Sequence, residues 1–171
     1  MSHQAAMLAE VLARDGADVV RINTNPFGRR KPRSLRFGYL LSQLGALRGC
    51  DLALIFAGSY ASFFAFSAVP LIAARLCGVR AVLMYKGGES RPFFRSWGWF
   101  VRRISNLASA IVVPGRFLQN VFENSGMRAS LVPDIIDVTR LPEGNHTGDA
   151  PPFVLCPRRH DYVGGVDIAV R

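Results

Sequence analysis

Short apolar runs alternate along this chain with longer stretches whose apolar residues recur every three or four positions. That alternation restricts the fold more than any other feature. Residues 18–23, 52–56 and 81–85 read as strands, and residues 3–14, 35–47, 60–76 and 93–106 as helices, with Gly16 and Gly78 as stops. The fullest unit is residues 107–137. Its apolar run 110–113 is broken by Pro114-Gly115; Phe117, Val121 and Phe122 then share one side of a helix that Gly126 closes, and residues 130–132 extend again. Strands alternating with helices imply parallel βαβ units with right-handed crossovers. The expected fold class is α/β, a Rossmann-like parallel sheet with helices on both faces. Residues 141–152, rich in Pro, Gly, Asn and Thr, read as a linker, and residues 153–156 begin another strand.

The 171 residues suffice for one full domain and a large core, but not for two of ordinary size. Half of them are hydrophobic, which excludes a disordered chain. The formal net charge is +9, and every basic side chain except Lys31 and Lys86 is arginine. Guanidinium forks suit phosphate, so anionic ligands fit the composition: nucleotide diphosphates, anionic lipid or nucleic acid. Cys50, Cys77 and Cys156 lack metal-ligand spacing and read as buried thiols in a reducing cytosol. No signal-peptide pattern is visible. Residues 52–74 carry no charge and are long enough to span a bilayer, but Gly58-Ser59 and Pro70 interrupt them. A strand followed by a buried helix capped by Ser59 accounts for the same residues.

The run LASAIVVPGRFLQNVFENSGMRASLVPDIID and the opening SHQAAMLAEVLARDGADVVRI carry a family likeness. The first is similar to a segment in which relatives show "a-d-a-i-v-v-P-S" and then "v-i-P-N-x-i-D". The second matches "S-R-Q-A-x-x-L-A-x-x-L-x-x-x-G-H-x-V". Together they resemble the N-terminal domain of family-4 (group 1) glycosyltransferases of the GT-B fold. The resemblance covers nearly the whole chain. It implies an acceptor-side domain, residues 1–140, whose first strand is missing; a linker, 141–152; and the beginning of a nucleotide-sugar-binding domain, 153–171, so that the chain reads as incomplete at both ends. It further implies transfer of a sugar from a nucleotide donor to an acceptor hydroxyl with retention, the acceptor being a polysaccharide or a lipid-linked molecule. No metal or other cofactor is implied. The paired glutamates of the family lie outside this sequence, so the chain is expected to be inactive by itself.

Two places are candidates for ligand contact. Lys86, Gly87, Gly88 and Glu89 follow the 81–85 strand, at the carboxyl end where open α/β sheets bind ligands. Two glycines let a backbone approach sugar or phosphate closely. Relatives show "H-G" or "Y-R-G-G-E/A" there; Lys86 keeps the cation. The plainer account is a βα turn with two solvated charges. The second candidate is Arg158, where relatives show "v-G-R-L" with an arginine at the donor diphosphate. Here Pro157 replaces the glycine, and Val163-Gly164-Gly165-Val166-Asp167 lacks the lysine of the relatives' "E-K-G-v-D".

Arg29, Arg30, Lys31, Arg33 and Arg36 form a basic cluster beside Phe27, Leu35 and Phe37. Such a cluster suits contact with an anionic membrane, and equally a solvated loop. It has no reader motif for nucleic acid. His3, His146 and His160 are scattered, and no Ser/His/Asp set, P-loop or metal cluster can be placed. The expected location is cytoplasmic, peripheral on the inner face of the membrane. The rival readings are a non-catalytic α/β module that binds an anionic ligand or membrane, and another sugar-phosphate enzyme on the same unit.

Overall fold

The computed structural model describes residues 3–22, 38 and 44–136. These belong to a unit that ends at Ile136. The basic cluster at residues 29–36, the linker at 141–152 and the segment 153–171 with Arg158 lie outside the described residues.

Four parallel strands stand in sequence order: β1 (Leu52–Ala57), β2 (Arg80–Tyr85), β3 (Ala110–Val113) and β4 (Ser130–Leu131). Leu52 pairs with Arg80 and Ala57 with Tyr85, so β1 and β2 run level from end to end. Three helical connections join them. The first, α2, runs through Ala61–Phe63, a π turn over Phe64–Ala68, and Val69–Leu76. The others are α3 (Ser90–Ser105) and α4 (Arg116–Asn124). Because each right-handed crossover moves one strand onward in the same direction, all three helices fall on one face of the sheet.

That face is the core. Ala53, Ile55 and Ala57 on β1, Ala81, Leu83 and Tyr85 on β2, and Ile111 and Val113 on β3 are buried. The Tyr85 ring meets Phe94 of α3 at 5.8 Å and Phe122 of α4 at 5.2 Å. Phe63 and Phe64 of α2 both reach Phe93 of α3. The alternate strand positions, Leu54, Phe56, Val82, Met84 and Val112, are only partly covered. The sheet is therefore flanked by helices as its sequence pattern predicts, but the three connecting helices share a single face.

Several local outcomes differ from the sequence reading. Residues 18–22 join no ladder, so the expected strand at 18–23 is not seen in its described part. The described end of the 35–47 helix is a 3-10 turn, Leu44–Gly49, that buries Leu47. In α1 (His3–Arg14), where the spacing puts Leu8, Val11 and Leu12 on the apolar side, Ala9 is the buried residue, Leu8 and Leu12 are partly buried and Val11 is exposed. In α4, Leu118, Val121 and Phe122 are buried and Phe117 is about half exposed. Phe117 sits at the margin of the face made by Leu118, Val121 and Phe122, and the Arg91 guanidinium lies over its ring at 4.8 Å. Cys77 is exposed and Cys50 half-buried, so neither is the fully buried thiol expected; Cys156 lies outside the described residues.

The uncharged stretch 52–74 resolves into β1 and most of α2. Among the described residues no helix is long and apolar enough to cross a membrane. Pro70 is accommodated by the π turn just before it. A proline ring clashes with the carbonyl four residues back and cannot donate to it, and a widened turn at that place absorbs both defects.

Candidate functional site

The carboxyl edge of the sheet gathers three loops: residues 58–60 after β1, residues 86–89 after β2, and residues 132–136 after β4. Their meeting follows from the register. The level pairing of Ala57 with Tyr85 continues for one more hydrogen bond, Lys86 N–H to the Ala57 carbonyl at 2.9 Å. The loop after β2 is thereby laid across the one after β1.

Ser59 does not cap α2. The cap position is Tyr60, with no side-chain cap bond, and the Ser59 hydroxyl instead pairs with the Tyr85 hydroxyl at 2.8 Å. Burial raises the Tyr85 pKa above the ordinary tyrosine value; the Ser59 hydrogen bond pulls it down and the neighbouring Tyr60 adds to the rise. The phenol therefore stays protonated through the physiological range.

Tyr60 itself has φ 52° and ψ −129°, the sole non-glycine residue with positive φ among those described. Such a conformation costs on the order of 1–3 kcal/mol in a residue with a Cβ and persists only where the surroundings enforce it. Here the Tyr60 ring is held against Phe93 at 5.0 Å.

Gly87 is buried in the crossing. A Cβ at that position would lie 2.7 Å from Tyr85 Cζ and closer still to Tyr85 Oη and Ser59 Oγ. The glycine is required by packing, not by its φ, which is not positive. Gly88 is the opposite case: exposed, with open space where its Cβ would stand. Backbone at Gly88 is thus accessible to a ligand, as its place in the sequence suggests, while Gly87 is a structural member of the loop.

Lys86 is not a free cation. Its ammonium pairs with the carboxylate of Asp134, and it also lies 5.8 Å from the centre of the Phe56 ring. Both partners of the pair are partly exposed, so it contributes little to stability. It does place one donor group and one acceptor group side by side at the rim. Glu89, exposed, precedes the first turn of α3 and makes no cap bond there. The Oγ of Ser90, in the first turn, is buried and has no hydrogen-bond partner among the described residues.

Gln4 closes the edge from the other side. Its amide forms two bonds with Ile135: Nε2 donates to the carbonyl at 2.9 Å, and Oε1 accepts from N–H at 3.2 Å. The start of α1 is thus tied to the chain leaving β4.

Of the residues singled out in the sequence, Lys86, Gly87, Gly88 and Glu89 fall together at this edge. Arg158 and the Arg29–Arg36 cluster lie outside the described residues. Asp134, Ser59, Tyr60, Tyr85 and Gln4 were not expected there. Each acts through a partner distant in sequence, and only the preference of open α/β sheets for ligands at strand carboxyl ends points to them. No group of three or more potential metal ligands occurs among the described residues.

No protein-family model, curated protein or solved structure matches this chain. The class defined by the fold is α/β with a four-stranded parallel sheet flanked by helices.

Proposed function

We propose that this chain supplies the acceptor-side half of a glycosyltransferase, which moves a sugar from a nucleotide donor to an acceptor hydroxyl with retention. The family resemblance of the sequence is the source of the reaction. The observation that carries the site is the juxtaposition, at one rim, of the Lys86–Asp134 pair and the open backbone at Gly88. A sugar hydroxyl both donates and accepts, and a half-exposed ammonium–carboxylate pair offers both functions to it. A naked diphosphate would find this lysine already neutralised. Lys86 therefore suits the uncharged hydroxyls of an acceptor better than the phosphates of a donor. Arg91 and Arg116, in the first turns of α3 and α4 at the same edge, pair with no carboxylate among the described residues and are the cations that the rival anion-binding module would use. Donor phosphate contacts are assigned to residues beyond 152, with Arg158 as the candidate, in keeping with the resemblance.

Chemical-shift perturbation on the labelled chain tests this reading, with methyl glycosides and with UDP- and GDP-activated sugars as probes. Glycosides are expected to shift the amides of Gly87, Gly88, Glu89 and Ser90, and Gly88→Val should abolish the response. The valine side chain enters the open space at the rim, so the fold should survive. Shifts confined to other residues, or an undiminished response in the variant, would remove the site from this loop.

A further inference from the structure

In the described unit, the amino edge of the sheet, opposite the candidate site, carries a different surface. α3 runs from the carboxyl edge of the sheet at Ser90 to the amino edge at Ser105. Its backbone leaves helical geometry at Trp97, where φ is −127° and ψ is 15°, just before Gly98. In a straight helix, residues two apart face nearly opposite directions, and one of Trp97 and Trp99 would be buried. Here Trp99 is 76% exposed and Trp97, resting on Phe64 at 5.0 Å, is 48% exposed. On α2, Ile72 and Leu76 share a face, and Leu76 is 82% exposed.

The same region is basic. One hollow is lined by Trp99, Arg102 and Arg103, and a second by Arg75 and Arg80; Leu107 borders both. Asp51, next to the Leu52 that pairs with Arg80, and Glu123, in the last turn of α4, share this edge. Among the described residues no carboxylate lies within ion-pair distance of these four arginines. Arginines near helix C-termini complement the helix dipole, but that role accounts for none of the exposed indole and leucine side chains.

We propose that this surface docks on an anionic lipid bilayer. Trp99 and Leu76 enter the boundary between headgroups and acyl chains, and Arg75, Arg80, Arg102 and Arg103 hold lipid phosphates. Indole rings favour that boundary because one edge is apolar and the other donates a hydrogen bond. Unpaired guanidinium groups around an apolar centre complement a negative leaflet. A nucleic acid would use the arginines but has no use for Leu76 and Ile72, and this decides for lipid. The inference stands apart from the proposed sugar transfer, since its readout is binding to a membrane.

Of the chain's two tryptophans Trp99 lies in the patch, whereas Trp97 packs on Phe64 in the first half of α3. Fluorescence is therefore read in a Trp97→Phe background, where it reports on Trp99 alone. Adding vesicles of equal parts phosphatidylglycerol and phosphatidylcholine should shift the emission to the blue, and brominated acyl chains should quench it. Pure phosphatidylcholine should do much less. In that background Arg102→Ser with Arg103→Ser should weaken partitioning by about 30-fold, and Leu76→Ser should reduce quenching of Trp99. Circular dichroism should be unchanged in both variants, because the side chains replaced are exposed. A third variant, Arg29, Arg30, Lys31 and Arg33 all to Ser, should retain quenching. Absence of quenching in the Trp97→Phe protein would overturn the proposal. So would undiminished partitioning in the Arg102/Arg103 variant, loss of quenching in the Arg29–Arg33 variant alone, or tighter binding to a 20-nucleotide RNA than to the vesicles.

Discussion

Gly87 and Gly88 are adjacent, exchangeable on paper, and constrained in opposite ways. A methyl group at Gly87 must displace the Ser59 and Tyr85 hydroxyls, whereas one at Gly88 meets nothing. Gly87→Ala should therefore destabilise the fold by about 1–3 kcal/mol, the usual range for overpacking. Gly88→Ala should stay within about 0.5 kcal/mol of wild type. Urea denaturation of the two variants measures the difference, and equal midpoints would mean that the crossing of the loops is not tight. The Tyr85 hydroxyl offers a second test, in pH. Its folded pKa is raised by burial, so its contribution to stability is complete below the unfolded value near 10 and is lost as pH climbs through the folded value. Between those two values the slope for one proton is about 1.4 kcal/mol per pH unit. Tyr85→Phe should flatten the alkaline loss of stability by that slope while leaving the neutral-pH helix content intact. An unchanged alkaline limb would show that this hydroxyl is not held in its buried, protonated form.

At the scale of elements, periodicity in the sequence located β1 to β4 and α1 to α4, since each is long enough, patterned enough or clearly enough bounded to be read locally. It could not show how they meet. Ser59 and Tyr85 are 26 residues apart, and Lys86 and Asp134 are 48 apart. Both pairs depend on the strand register, which no local pattern encodes. Of the rim, the loop after β2 was legible because two glycines follow a strand; its partners were not. Phe117 illustrates a subtler limit. Successive helical residues are about 100° apart, so a residue flanking the apolar face, as Phe117 does, can fall on either side of its margin, which pattern alone does not fix. The kink in α3 was legible only as Gly98. That glycine has no positive φ and open space at its Cβ position, so nothing in its surroundings requires it. Gly98→Ala should stabilise the protein by about 0.5–1 kcal/mol through helix propensity. A lower thermal midpoint in the alanine variant would instead mean that the bend at Trp97 needs the glycine.

Both edges of the sheet in the described unit carry arginines without a carboxylate partner among the described residues: Arg91 and Arg116 at the carboxyl edge, Arg75, Arg80, Arg102 and Arg103 at the amino edge. The edges differ in that the carboxyl edge also holds the Lys86–Asp134 pair and the amino edge the exposed Trp99 and Leu76. The rim itself is held by long-range ties. The Gln4 amide spans 131 residues of sequence to pair with both polar groups of Ile135, doing for that residue what a neighbouring strand would do. Removing it should loosen the chain after β4 without unfolding the sheet, because Val132 keeps its own bond to Val113 at 3.0 Å. Gln4→Ala deletes the acceptor of the Ile135 N–H and the donor to its carbonyl. A net loss of about 1–2 kcal/mol for the pair corresponds to amide exchange at Ile135 that is roughly 5- to 30-fold faster. Exchange at Leu83 and Val113, inside the buried face, should be unchanged at the same pH. Hydrogen exchange followed residue by residue separates the outcomes. Faster exchange at Ile135 alone would identify Gln4 as the clasp of the rim. Uniform acceleration would show that α1 supports the whole sheet, and no change at Ile135 would mean that the tie is not populated in solution.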